Sequence, residues 1–447
     1  MHHKILFLVY YFPPIGGGGV QRTIKFLKYL PEFGFSPVVV TGPSIGGQWS
    51  PLDKTLSDQL KLMPPPFRIQ NSYKEPSRIV HKLRKLLALK TPFAEWWFKG
   101  SVGLIKEILS REKIDLIYCS MSPFASALIG NYFRKEYGIR WIADLRDPWA
   151  LDEMQIYPSF LHRKVELKKM RKLLWSASGI IMNTPEAAKR LNQAFPEFQD
   201  KRIICITNGY DSEDFVSLSS VNRRRDKFRI VHTGSLHTRL GLQLRRRRML
   251  YNITGGSIAG LDILSRSHFF ILQAIEKWLK FSQELLEKIE LVLVGALSYT
   301  DKRIIWESGL PHKLVKSPGY LSYSQNISLM MDADLLFLPM HNLPNSVRAT
   351  IVPGKTYEYM ATGNPILAAV PEGDAKDFLQ KCGTAFICKP NDVRGMVEIM
   401  EKTFQAWVHG KKIVEPNWHF IKQFSRKRLT AKLAGFLDSI LEENYEN

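Results

Sequence analysis

"PPIGGGGVQRTIKFLKYL", residues 13–30, follows an unbroken apolar run from Ile5 to Phe12 and decides how the chain begins. Apolar residues that run on without polar alternation read as a strand buried on both faces of a parallel sheet. The apolar residues at 20, 24, 26, 27 and 30 make a helical stripe that Pro31 closes, and Pro37 to Thr41 reads as strand again. The opening is therefore strand, glycine loop, helix, strand. In an open α/β sheet, ligands sit beyond the carboxyl ends of the strands, and the free N–H groups of a helix start attract phosphate. Glycine lets the backbone come close, so Gly16, Gly17, Gly18 and Gly19 suit a loop that touches a phosphate or a sugar. A tight turn with no ligand would use the same residues. A dinucleotide fold would end the second strand in an acid that binds the ribose. Here that strand ends in Thr41, Gly42 and Pro43, which argues against a nicotinamide enzyme.

The same rhythm continues along the chain. Asp115–Cys119, Arg140–Ala143, Ser178–Asn183 and Arg202–Thr207 read as strands, with a helix over Ala125–Tyr137. After a polar, Arg-rich break the pattern restarts with Phe228–Thr233 as strand. A helix over His268–Lys280, strands at Glu290–Val294 and Asp334–Pro339, a helix opened by Pro353 and a strand Pro365–Val370 follow. Alternation of this kind predicts two doubly wound α/β halves. We expect one domain over residues 1–216, a linker at 217–227 and a second domain over 228–415. The amphipathic stretch Trp418–Leu441 would lie in a C-terminal segment, 416–447, that packs back on the first domain. Residues 242–265 separate a strand from its helix where α/β connections usually take roughly 2–6 residues, so they read as a basic insertion.

A chain of 447 residues with 45% hydrophobic and 23% charged residues is an ordinary folded protein of about two domains. Cys119, Cys205, Cys382 and Cys388 lack metal-ligand spacing, which points to a reducing compartment and no metal. No apolar stretch near the start reaches the ~20 residues of a membrane span, so a cytoplasmic location is expected.

"VPGKTYEYMATGNPIL", 352–367, carries the second chemical signal. Pro353 suits the first helical position, and Gly363 ends the helix after about two and a half turns. Glu358 lies five residues in, roughly 7.5 Å along the axis, with its side chain leaning back toward the helix start. One short helix can thus offer amides to a phosphate and a carboxylate to a sugar hydroxyl. Tyr357, Tyr359 and Met360 around Glu358 make a half-buried acid.

Together with "SPGYLSYSQNISLMMDADLLFLP" (317–339), "WIADLRDPW" (141–149), "ITNGYDSEDF" (206–215) and "IVHTGSLHTR" (230–239), this stretch resembles family 4 glycosyltransferases. The stretches at 141–149, 206–215 and 230–239 resemble a bacterial subgroup of it that builds surface polysaccharides. The resemblance runs over nearly the whole chain and leaves out only 242–265. It implies the GT-B fold: two Rossmann-like domains facing across a cleft, with a C-terminal helix crossing back. It further implies a retaining transfer of a hexose from a UDP- or GDP-linked sugar, without metal, to a lipid-linked or growing glycan.

By position, Glu358 would hold the donor ribose. The family's first acid falls at Thr350, a departure that the Pro353-Gly354-Lys355 turn would make good. Arg239 and Lys355 become candidates for the diphosphate, because charge that develops on a leaving nucleotide needs fixed cations or amides. Ser235, after Gly234, stands where the family has its first basic residue. Tyr320 and Leu321 would flank the base. Ser122 replaces the histidine that many relatives set beside the donor sugar and, with Gln21, falls on the acceptor side. Asp144, Arg146 and Asp147 would face the reacting sugar, unless "DLRD" is an internal ion pair that shapes the loop. A nucleotide-sugar epimerase of the same architecture, or an inactive nucleotide-sugar-binding homologue, remains the alternative.

The formal net charge is +21, from 63 Lys and Arg against 42 acids, so the chain meets anions. No nucleic-acid module is recognisable, and nucleic acid is not expected as a partner. Residues 78–109 combine Trp96, Trp97 and Phe98 with Lys82, Arg84, Lys85, Lys90 and Lys99. They are expected to rest on the anionic inner face of the membrane, although two ordinary amphipathic helices would share that pattern. "LHRKVELKKMRKLL" (161–174) would add to that surface, whereas Arg245–Arg248 fits lipid and solvent equally well.

Overall fold

The computed structural model describes residues 3–46, 51–53, 55–58, 64–77, 79–80, 84, 91–216, 226–280 and 284–442. Lys82, Lys85 and Lys90, and residues 217–225 of the expected linker, lie outside the described residues. The described chain divides into two compact units. One holds the residues up to Thr207, 254–257 and those from Arg426 on; the other holds 208–253 and 258–425.

The first unit is built on seven parallel strands. They are β1 (His3–Val9), β2 (Phe35–Thr41), β3 (Phe67–Arg68), β4 (Leu116–Ser120), β5 (Arg140–Leu145), β6 (Gly179–Met182) and β7 (Ile203–Cys205). Their lateral order is β3-β2-β1-β4-β5-β6-β7. The connecting helices include α1 (Gly18–Tyr29), α2 (Pro92–Leu109), α3 (Ser126–Tyr137), α4 (Phe160–Leu174) and α5 (Pro185–Ala194). Side chains of a strand alternate between faces, and β1 shows the result. Leu6 and Leu8 enter the core under α2 and α3, while Ile5, Phe7 and Val9 enter a second core on the other face. A strand that is apolar at every position is what two buried faces demand.

The second unit repeats the plan with six parallel strands in the order β10-β9-β8-β11-β12-β13. These are β8 (Phe228–Thr233), β9 (Ile289–Val294), β10 (Val315–Gly319), β11 (Leu335–Pro339), β12 (Ile366–Ala369) and β13 (Ala385–Cys388). Its helices include α6 (Thr238–Arg246), α7 (Arg248–Thr254), α8 (Phe269–Leu279), α9 (Tyr299–Glu307), α10 (Tyr323–Met331), α11 (Gly354–Thr362), α12 (Asp374–Cys382) and α13 (Val393–Val408). In both sheets the order reverses beside the first strand, between β1 and β4 and between β8 and β11, which opens a crevice at the strand ends.

Two expectations change. The first strand ends at Val9, because Pro13 and Pro14 cannot donate to a ladder and the chain leaves the sheet before them. Trp418–Leu441 is not one helix. It comprises a turn at Trp418–Ile421, a tighter one at Lys422–Phe424 and α14 (Arg426–Leu441), broken where Ser425 is extended. The insertion is ordered: α6 and α7 occupy it, and the His237 N–H donates to the Arg266 carbonyl at 3.0 Å, so the excursion leaves and rejoins the chain at one point.

Helix α14 belongs to the first unit, where Leu429, Leu433, Phe436, Leu437 and Ile440 complete the core beneath β1 and β4. Leu433 and Leu437 are fully buried. Leu437→Ala should cost about 2–5 kcal/mol by leaving a cavity, read as a lower urea midpoint with an unchanged slope.

Candidate functional site

In the first unit the residues singled out from sequence gather at the ends of β1, β4 and β5. Gly17 caps α1 at φ +102°, and a Cβ on Gly19 would stand 2.3 Å from the Arg146 Nη2. The loop therefore needs one glycine for its turn and another because a guanidinium lies against it. Arg146 is half-buried, Asp147 is exposed, and Ser122 lies two residues beyond the end of β4. Gln21 is 4% exposed with no hydrogen-bond partner for its Oε1.

Asp144 needs correction. Its carboxylate is 1% exposed and accepts from Arg22 Nε at 2.9 Å and Arg22 Nη2 at 2.8 Å. It also accepts a short hydrogen bond from the Tyr118 hydroxyl, and Arg22 Nη1 reaches the Thr207 carbonyl at 2.7 Å. Burial, and after it the Asp144 charge, hold Tyr118 well above the ordinary phenol range. Asp144 thus faces inward to Arg22 and Tyr118, and not to a sugar. It is an ion pair, though with α1 and not within "DLRD".

The second unit gathers a different set. The imidazole of His232, on β8, donates from Nδ1 to the Phe337 carbonyl at 3.0 Å, which leaves Nε2 as acceptor for Lys355 Nζ at 3.2 Å. Burial, then the lysine charge, keep His232 well below the ordinary histidine range and so neutral. Lys355 Nζ lies 3.0 Å from where a Cβ on Gly234 would stand, so the glycine turn after β8 and the first turn of α11 touch. The two are also tied by Tyr359, whose hydroxyl accepts from the Thr233 N–H at 2.9 Å.

Pro353 stands at the cap of α11, one place earlier than expected, and the first turn, starting at Gly354, contains no acid. A cation there opposes the helix dipole. Burial, then the Arg266 charge, bring Lys355 down to about 7, while Glu358 alone among the strongest influences pulls the other way. Glu358 is half-buried, and its Oε1 accepts from the Tyr323 hydroxyl at 3.2 Å. A helix start without a side-chain cap, a lysine held low by burial and a carboxylate further along the helix thus lie together at the crevice between β8 and β11.

Of the remaining candidates, Ser235 is exposed after Gly234 and Thr350 is buried. Tyr320 is exposed after β10, and Leu321 gives its carbonyl to Asn326 Nδ2 at 3.0 Å. Arg239 is exposed on the first turn of α6, and the charge that reaches Lys355 is that of Arg266. Arg266 escaped the sequence reading because the excursion sets it 31 places beyond Ser235 in the chain. Its one signal is its place directly before the Ser267-His268 start of the next helix. Arg22, Tyr118, His232 and Tyr323 were missed for another reason: each pairs with a residue distant in sequence.

Against solved structures the likeness is long but distant. Sucrose-phosphate synthase from Thermosynechococcus elongatus superposes with a TM-score of 0.67 at 13% identity, over 99% of this chain and 100% of that one. The Anabaena protein HepE, solved with UDP and glucose, gives 0.62 at 17% identity, over 98% of this chain and 100% of that one. The fold is GT-B. UDP-GlcNAc 2-epimerase from Methanocaldococcus jannaschii shares it, with a TM-score of 0.55 at 11% identity over 98% and 99% of the two chains. No protein-family model matches the sequence, and no curated protein matches it either.

Two outcomes follow. Asp144→Ala should strand the Arg22 charge and cost about 3–5 kcal/mol by urea unfolding, and Arg22→Met in the same chain should return part of the loss. Lys355, near 7 when folded and 10.5 in its ordinary state, binds its proton more readily in the unfolded chain. Stability should therefore rise with pH between those two values, and Lys355→Met should flatten that part of the pH profile.

Proposed function

We propose that this protein is a glycosyltransferase that moves a hexose from a nucleoside-diphosphate sugar, UDP- or GDP-linked, to a lipid-linked or growing glycan, with retention. The observation that carries the reading is the α11 turn. Its N-terminal amides and Lys355, helped by Arg266, suit a diphosphate, and Glu358 suits the ribose hydroxyls little more than one turn further along. Cations fixed at this turn stabilise the charge that develops on a departing nucleotide. Gly234 lets the backbone come close to the same group, and Tyr320 with Leu321 would flank the base.

On the first unit, Arg146 and the Gly17–Gly19 loop, with Asp147, Ser122 and Gln21, form the polar set for the sugar and the acceptor. In the proposed step the bond from the sugar's anomeric carbon to the diphosphate oxygen breaks, and a bond to the acceptor oxygen forms on the same face. The acceptor's proton passes to the departing phosphate, so no protein base is required. HepE was solved with UDP and glucose, which makes UDP-glucose the first donor to try.

The epimerase of the same fold supplies the second reading. Product analysis separates the two, since an epimerase returns an altered sugar still joined to its nucleotide.

Thermal-shift measurements with UDP, GDP and their glucose conjugates test the proposal. A cognate nucleotide at a hundredfold excess over its Kd should stabilise the protein by about 2.7 kcal/mol. Glu358→Ala should weaken that binding roughly tenfold to a hundredfold, the worth of a charge-assisted hydrogen bond. Lack of any response to all four compounds would refute it.

A further inference from the structure

Of the aromatic residues expected to meet a membrane in 78–109, Trp97 is turned inward. Trp97 is fully buried, and its indole donates to the Ser126 hydroxyl at 3.1 Å. Trp96 and Phe98 are half-buried, packed with Tyr73, Phe93 and Tyr132, and the Trp96 indole donates to Ser72 at 2.9 Å. The cause is the helix period: Trp97, Ser101, Ile105 and Ile108 form the buried stripe of α2, and the aromatic residues follow it inward.

The excursion between His237 and Arg266 shows the opposite pattern. No residue of α7 is buried. Met249 is 78% exposed, Leu250 53% and Ile253 74%. At 100° per residue these three fall within one arc of about 100°, a single apolar face turned to solvent. Arg246, Arg247 and Arg248, all exposed, precede that face directly.

Arg245 is different: it is spent on a bidentate pair with Asp262, at 3.1 and 2.8 Å, that ties the excursion down. From Thr238 to Leu261 there is no acidic residue. Helix α6 packs on α9, whose outer stripe adds Tyr299 at 81% exposure, Trp306 at 72% and Lys302.

We infer that α7 and the arginines before it form a docking surface for a bilayer that carries anionic lipid. The charge selects the partner. A second copy of a chain at +21 would bring arginines against arginines, whereas an anionic surface attracts them. The apolar face selects further, because a nucleic-acid phosphate backbone has no use for Met249, Leu250 and Ile253, while the acyl boundary below lipid headgroups takes them up. Exposed aromatic residues on α9 suit the headgroup level. The excursion thus carries the membrane contact, and the sheet behind it is not altered to do so.

The test is co-sedimentation of the full chain with phosphatidylcholine vesicles, with and without phosphatidylglycerol, at low and high salt and in the absence of nucleotide. Binding is expected only with phosphatidylglycerol and should weaken as salt rises. Replacing Arg246, Arg247 and Arg248 by Gln should lower the partition coefficient roughly a hundredfold, about fivefold per arginine. Met249→Ser, Leu250→Ser and Ile253→Ser together should also release the protein. These side chains are exposed, so circular dichroism and any nucleotide-dependent thermal shift should stay as in the parent chain. Equal binding by parent and variants would overturn the inference. So would arginine-dependent binding to duplex DNA that ignores the apolar substitutions, or self-association lost with the same arginines.

Discussion

The charge pair between Arg22 and Asp144 governs the first unit. Arg22 rides on α1, which follows β1, and Asp144 lies near the end of β5 on the far side of the point where the strand order reverses. Removing two charges from water costs several kcal/mol each, and the cost is offset only where geometry satisfies every donor and acceptor. Here two guanidinium nitrogens meet two carboxylate oxygens, Tyr118 supplies a further donor, and the Thr207 carbonyl takes another guanidinium nitrogen. Four separate pieces of chain are locked together, and the glycine loop ahead of α1 is held over the strand ends.

At the same place in the second unit the charges are arranged differently. Lys355 sits in a helix's first turn with Glu358 about one turn on, leaning on a neutral His232 and exposed to the field of Arg266. One unit uses its cation to close the structure; in the other, burial and the charge of Arg266 bear on Lys355. The difference is chemical and not topological, since the two sheets share the same reversal.

Much of this was legible in the sequence, for identifiable reasons. Parallel strands buried on both faces are apolar throughout, so Ile5 to Val9 announces itself, and glycine and proline mark the ends of α11 at Pro353 and Gly363. Side-chain direction was less legible. Asp144 and Trp97 were assigned by residue type to surfaces they do not face, because the partners that turn them inward, Arg22 and Ser126, lie 122 and 29 positions away. Arg266 lay hidden for the converse reason, since a long excursion broke the spacing that would have connected it with Gly234.

The hydrogen bond from His237 to Arg266 has an evolutionary corollary. A segment whose two ends already meet adds little closure entropy when it grows, because the penalty rises only with the logarithm of its length. Such a segment behaves as an exchangeable cassette. Its exposed surface could be shortened, swapped or re-coded while the crevice beside β8 stays as it is, so what the segment meets and what the crevice holds can be selected independently.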